Sequence, residues 1–157
     1  MVGSVFVTLE KAGPRIHRAT AKIATGNNPA DNYWRPGNML GAIDLESGKI
    51  VRSVCGSGAE LRLNDPHPDT GRPVIAAQIP DWNRVKETVV RGAPIFAGIH
   101  SQSWDVALTE HGPVFLEINF GGDLNLTQLA TGKGVLDAAF SEHLKEWGYA
   151  TRSRGNV

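Results

Sequence analysis

A chain of 157 residues is long enough to bury one hydrophobic core, and its 16 basic residues balance 16 acidic ones, which argues against a general nucleic-acid or anionic-membrane binder. Charged residues make up 20% and apolar residues 41%, an ordinary mixture for a soluble globular domain, and no apolar run approaches the roughly 20 residues that span a bilayer. Cys55 is the single cysteine, so there is no internal disulfide or cysteine-based zinc site, and the N-terminus lacks the features of a signal peptide; a cytoplasmic location is the expectation.

Eighteen glycines and nine prolines predict many tight turns and a strand-rich fold. The alternation in "SVFVTLEKAGPRIHRATAKIATG" predicts two strands around a turn at 11–14. Residues 26–38, "GNNPADNYWRPGN", read as a loop, and 39–54 as a hairpin turning at 46–48. Residues 56–73 read as turn and coil. A helix is expected from Asp81 as N-cap, with Val85, Val89, Ala93 and Phe96 at helical spacing and an end near Arg91 forced by Gly92 and Pro94. The first half of 124–134 reads as a helical turn. In "GVLDAAFSEHLKEWGY", Val135, Leu136, Ala139, Phe140, His143, Leu144 and Trp147 share one face of a helix, and 150–157 form a flexible polar tail. The expected class is α+β: a single domain over 1–157, mainly an antiparallel sheet with flanking helices.

The stretch "WDVALTEHGPVFLEIN", 104–119, carries the chemistry. A three-residue loop, 110–112, with Gly112 left-handed, sets Thr109 against Pro113, Ala107 against Phe115, Asp105 against Glu117 and Ser103 against Asn119. Trp104, Val106, Leu108, Val114, Leu116 and Ile118 then share an apolar core face, while Asp105, Ala107, Phe115, Glu117 and Asn119 share the other. Two carboxylates about 5 Å apart repel by roughly 3 kcal/mol at an effective dielectric near 20. A cation between them, a proton on one, or a lysine or arginine reaching in relieves that repulsion. With the Asn119 amide oxygen, the first remedy gives an all-oxygen set of the kind Mg²⁺ or Mn²⁺ prefers, completed by waters and substrate phosphates. The following loop "FGGD", 120–123, has the backbone freedom to approach a phosphate. The plain alternative is an acidic face turned to water. Arg15, Arg18 and Lys22 along one strand likewise read as a phosphate-binding or a solvated face. The five histidines are scattered without zinc-ligand spacing.

Together with "DNYWRPGNMLGAIDLESGKI", "HPDTGRPVIAAQIPDW" and "EINFGGDLNLTQLATGKGVLD", this stretch resembles the ATP-grasp superfamily, in particular its sugar-transfer associated proteins related to alpha-L-glutamate ligases, from about residue 4 to 148. The resemblance implies the C-terminal lobe of an ATP-grasp fold, with ATP and Mg²⁺ (or Mn²⁺) as cofactors. It implies Asp105, Glu117 and Asn119 as metal ligands, with Lys22, Asn32 and Asn119 beside the nucleotide. Lys22 stands where the family usually has an arginine and is the implied catalytic group for the phosphoryl being transferred. Val5 stands where another arginine is expected, and Gly37-Asn38 where two glycines are usual. The implied activity is that of a carboxylate–amine ligase acting on a small carboxylate through an acylphosphate, only part of which lies in this chain. An N-terminal lobe is the implied missing partner. The alternative is a non-catalytic interaction module, its exposed edge strand open to self-association.

Overall fold

The structure, a computed structural model, describes residues 2–28, 37–56 and 58–149. The alternating first segment forms a hairpin of β1 (Val2–Glu10) and β2 (Gly13–Ile23). Its turn is only Lys11 and Ala12, tighter than expected, so Pro14 lies within β2 opposite Leu9. The second expected hairpin is β3 (Met39–Ile43) with β4 (Ile50–Cys55). The segment expected as turn and coil adds a 3-10 turn, Gly58–Glu60, and the two-residue strand β5 (Arg62–Leu63). With β6 (Ser101–Thr109) and β7 (Gly112–Phe120), these make one seven-stranded antiparallel sheet in the order β5-β4-β3-β2-β1-β6-β7. Among the described residues three α-helices flank it, α1 (Trp82–Gly92), α2 (Leu124–Thr131) and α3 (Ala138–Glu146), so the class is the α+β arrangement expected.

Period-two alternation gives the sheet two different faces. On one, Val5, Val7, Ala21, Met39, Trp104 and Val106 pack with Trp82, Val85 and Val89 of α1 to form the main core. On the other, Leu40, Ala42 and Val54 pack on Ala130 of α2, and Phe6 packs on Val135 and Phe140 beside α3. Beyond these two small clusters, the second face turns polar towards β7.

Capping decides where the helices begin. Asp81 does occupy the N-cap of α1, but its backbone is left-handed, with φ 51°, and its side chain makes no cap bond. Its carbonyl accepts the first helical bond, from the Val85 N–H at 3.0 Å. The helix runs one residue past Arg91 and tightens into a 3-10 turn, Ala93–Phe96, through Pro94. α2 is capped by Asp123, whose carboxylate accepts the Asn125 N–H at 3.0 Å, and stops at left-handed Gly132. The last helix is shorter than its periodicity predicts. Asp137 accepts the Phe140 N–H at 3.0 Å and caps α3, so Val135 and Leu136 precede it. Val135 stays buried, but Leu136 is exposed. The expectations for Asn32, for the rest of the 29–36 loop and for the 150–157 tail lie outside the described residues. Among those described, no helix is long and apolar enough to cross a membrane.

Candidate functional site

The β6–β7 hairpin sets Asp105 opposite Glu117 and Ser103 opposite Asn119, but not by the expected route. A two-residue turn, Glu110 and His111, pairs Thr109 with Gly112 and Leu108 with Pro113. A bulge at the Asp105/Val106 step then absorbs Leu116, which restores the opposition of the acids. Between turn and bulge the parity of β7 is inverted. Phe115, rather than Val114 or Leu116, therefore faces the core, its ring edge-on to Trp104 at 5.2 Å. Val114 and Leu116, expected in the core, are each 47% exposed.

Strand order assembles the rest. Across four adjacent strands, Thr20 pairs with Ser4, Ser4 with Asp105, and Asp105 with Glu117, giving one polar row. The Ser4 and Ser103 hydroxyls bond at 2.8 Å. From β2, Lys22 reaches over β1 and places Nζ 3.5 Å from Asp105 Oδ2, with both side chains only 5% exposed. Asn119 donates from Nδ2 to Glu117 Oε1 at 3.1 Å. Of the three remedies for the opposed acids, the structure thus shows a lysine at Asp105, together with a carboxamide bond at Glu117. Burial pushes the Asp105 carboxyl above its usual range, against the pull of the Lys22 charge and the Ser4 hydroxyl; the Glu117 charge adds to the rise. Thr20 Oγ1, in a residue 1% exposed, has no hydrogen-bond partner among the described residues.

These side chains line a cavity of about 700 Å³, to whose wall Gly122 and Asp123, just before α2, also contribute. That volume is in the range of small-molecule sites. The wall needs glycine: Gly122 has φ +65°, and a Cβ there would lie 2.4 Å from Ser103 Cβ. Among the described residues, no three His, Cys, Asp or Glu side chains gather as a metal cluster. The candidate set is two carboxylates and a carboxamide, and it fits a hard cation that keeps waters and takes phosphate oxygens. The bond to Glu117 uses the NH₂ of Asn119, so the amide oxygen, the atom a hard cation prefers, is not engaged in it.

Lys22, Asp105, Glu117 and Asn119 are therefore brought together; Asn32 lies outside the described residues. Arg18 instead pairs with Asp137 at the α3 cap, and Arg15 lies 3.7 Å from Glu10. Val5, on the opposite face, is buried in the main core. Asn38 accepts the Thr25 N–H at 3.0 Å and braces the entry to β3. The sequence reading missed Ser4 and Thr20. Ser4 joins the site through the pairing of β1 with β6, segments about a hundred residues apart, and Thr20 joins it through its pairing with Ser4.

A family model for sugar-transfer associated ATP-grasp proteins matches residues 4–142. A probable alpha-L-glutamate ligase from Syntrophotalea carbinolica is 28% identical over 111 residues, covering 69% of this chain and 36% of that relative. The chain thus spans about a third of the length of this curated relative. No solved structure matches it. The family match takes in every strand of the sheet but the first residues of β1, and the chain belongs to the sugar-transfer associated ATP-grasp family.

Proposed function

We propose that this chain is the Mg²⁺-ATP-binding lobe of a carboxylate–amine ligase. The observation that carries the reading is the convergence of Asp105, Glu117, Asn119 and Lys22 on one cavity, in a chain of this family. Bound ATP and Mg²⁺ (or Mn²⁺) would supply the phosphoryl group that activates a carboxylate as an acylphosphate for attack by an amine. Asp105, buried on the strand next to the sheet edge, and Glu117, exposed on the edge strand, would hold the ion, with the Asn119 amide oxygen completing the protein's share. Lys22 is the group for the phosphoryl oxygens, as a compact charge rather than a planar fork. The Gly121-Gly122 backbone would approach the phosphates, whereas the Asp123 carboxylate caps α2. Asn32 would lie beside the phosphates. The name of the similar ligase favours a small carboxylate such as L-glutamate among the substrates. A preceding lobe, on the same or another chain, would close over the nucleotide, and a cytoplasmic location follows from the need for ATP. Calorimetry tests the site: Mg²⁺-ATP binding to the protein and its loss in Glu117→Gln are the expected results.

A second reading, a non-catalytic interaction module, is favoured by β7. This nine-residue strand is an edge of the sheet and exposes Val114, Leu116 and Phe120, the last by 79%. Such an edge offers unpaired backbone groups and apolar side chains to another chain. It predicts no Mg²⁺-ATP binding, and self-association in the ultracentrifuge that Leu116→Lys abolishes.

A further inference from the structure

We infer that Ser4 and Ser103 are positioning residues of the candidate metal site: their paired hydroxyls hold the Asp105 carboxylate in the orientation in which it meets a divalent cation. The inference rests on the proposed metal–nucleotide reading and adds two residues that act through Asp105.

The register gathers these side chains on one patch of the sheet. Ser4 on β1 lies directly opposite Asp105 on β6, while Ser103 lies opposite Phe6. Ser4 and Ser103 are therefore diagonal neighbours, which meet only by leaning towards each other. Their hydroxyls bond at 2.8 Å, and Ser4, Ser103 and Asp105 all line the cavity. Each serine also stands opposite a candidate ligand, Ser4 opposite Asp105 and Ser103 opposite Asn119 on β7.

Asp105 needs such a hold. Its contact with Lys22 engages Oδ2 at 3.5 Å, long for a charge-assisted bond, which is ordinarily about 2.7–2.9 Å. Burial drives the carboxyl towards its protonated form, and the Lys22 charge and the Ser4 hydroxyl oppose that drive. A serine hydroxyl has one proton and rotates, so alone it anchors a carboxylate poorly. Ser103 removes that freedom. With Ser103 donating to Ser4, the Ser4 proton is left for Asp105, and each hydroxyl polarises the next towards the charge. Ser103 is itself confined: the Gly122 backbone lies so close that a Cβ there would stand 2.4 Å from Ser103 Cβ. Hydrogen bonds to a metal-ligating carboxylate fix its orientation, and losing one ordinarily weakens metal binding about 10- to 100-fold.

Titration of the protein with Mn²⁺, free Mn²⁺ being read by electron paramagnetic resonance, tests this without any turnover. Ser4→Ala, shown by circular dichroism to be folded, should bind Mn²⁺ at least about tenfold more weakly than the unmodified protein. Ser4→Thr, which returns the hydroxyl on a side chain suited to a strand, should recover most of the affinity. Ser103→Ala breaks the same bond from β6 and should also weaken binding. The double variant should bind no more weakly than Ser4→Ala alone, because Ser103 acts through Ser4. Unchanged binding in Ser4→Ala, equal losses in Ser4→Ala and Ser4→Thr, or single losses that multiply in the double variant overturn the inference. If Asp105→Asn still abolishes binding in those cases, the metal site stands without it. Mn²⁺ binding that ignores Asp105→Asn, or none in any variant or in the unmodified protein, overturns the metal reading itself and the inference with it.

Discussion

Lys22 on β2 and Asp105 on β6 meet across the intervening strand β1, Nζ to Oδ2 at 3.5 Å, with both side chains almost removed from solvent. Losing one member of such a pair leaves the other charge stranded, which is worse than losing both. Lys22→Met should lower the unfolding free energy by about 3 kcal/mol in urea titrations with chelator present. Lys22→Met combined with Asp105→Asn should lose clearly less. A double variant as unstable as the sum of the singles would show that the two groups do not stabilise one another.

Thr20 lies in the same polar row, and its hydroxyl has no partner among the described residues. A buried hydroxyl left unpaired opposes folding by its desolvation cost. Thr20→Val keeps the shape and β-branching while deleting that group. It should raise stability by about 1 kcal/mol, seen as a melting temperature about 2–4 °C higher. A lower melting temperature would mean that the hydroxyl is satisfied after all.

The opposition of Asp105 and Glu117 was legible because it depends on a count. A three-residue loop, and a two-residue turn plus one bulged residue, consume the same number of residues. The acids therefore face each other by either route. The parity of Val114, Phe115 and Leu116 depends on which route is taken, and no residue in the stretch betrays the bulge. The position of Lys22 within a strand was legible too, but not its partner, which lies 83 residues away and meets it only because β1 pairs with β6. Asp81 and Asp137 show the limit of residue type as a capping signal. The first has the preferred type but a left-handed backbone that takes its side chain out of play. The second, inside an apolar periodicity that reads as helix, stops that helix from starting earlier.

Two buried histidines hold α3 against the sheet, and their protonation sets a pH dependence. The His143 ring stacks on Phe140 at 5.8 Å, and its Nε2 lies 3.2 Å from Ser101 Oγ. His17 packs against Phe6 and Phe140; its Nε2 is 3.5 Å from Asp137 Oδ1, near enough for charge attraction but without a hydrogen bond. Burial lowers the pKa of both below 6.5. For His17, Asp137 opposes the shift and Arg18 and Arg15 add to it. For His143, Glu10 and Glu146 oppose it and His100 adds to it. Below pH 6.5 the unfolded chain binds more protons at these sites than the folded one, so their contribution is complete above that pH and is lost as pH falls through the folded pKa values. The melting temperature should fall as the solution is taken below pH 6.5, and His143→Leu should flatten the dependence. Trp147, stacked on His100 at 3.6 Å with its indole N–H donating to the Leu9 carbonyl, is a fluorescent reporter beside α3. An unchanged pH slope in His143→Leu would move the effect to other groups.

Adjacent glycines separate the wall of the cavity from mere chain flexibility. Gly121 and Gly122 are both left-handed, with φ +71° and +65°, so either pays a conformational penalty on becoming alanine. Only Gly122 also meets a neighbour: its Cβ would lie 2.4 Å from Ser103 Cβ and 2.9 Å from Ser103 Oγ, whereas that of Gly121 finds open space. Ser103 cannot turn away freely, because its hydroxyl bonds Ser4 Oγ at 2.8 Å in the floor of the site. Gly122→Ala must therefore push the 120–123 loop outward or break that hydroxyl pair. Gly121→Ala should lower stability by about 1 kcal/mol and leave Mg²⁺-ATP binding nearly as it was. Gly122→Ala should weaken that binding by about tenfold or more, equivalent to about 1.4 kcal/mol, in calorimetry on protein shown by circular dichroism to be folded. Equal binding by the two variants would mean that the loop backbone does not form a wall of the nucleotide site.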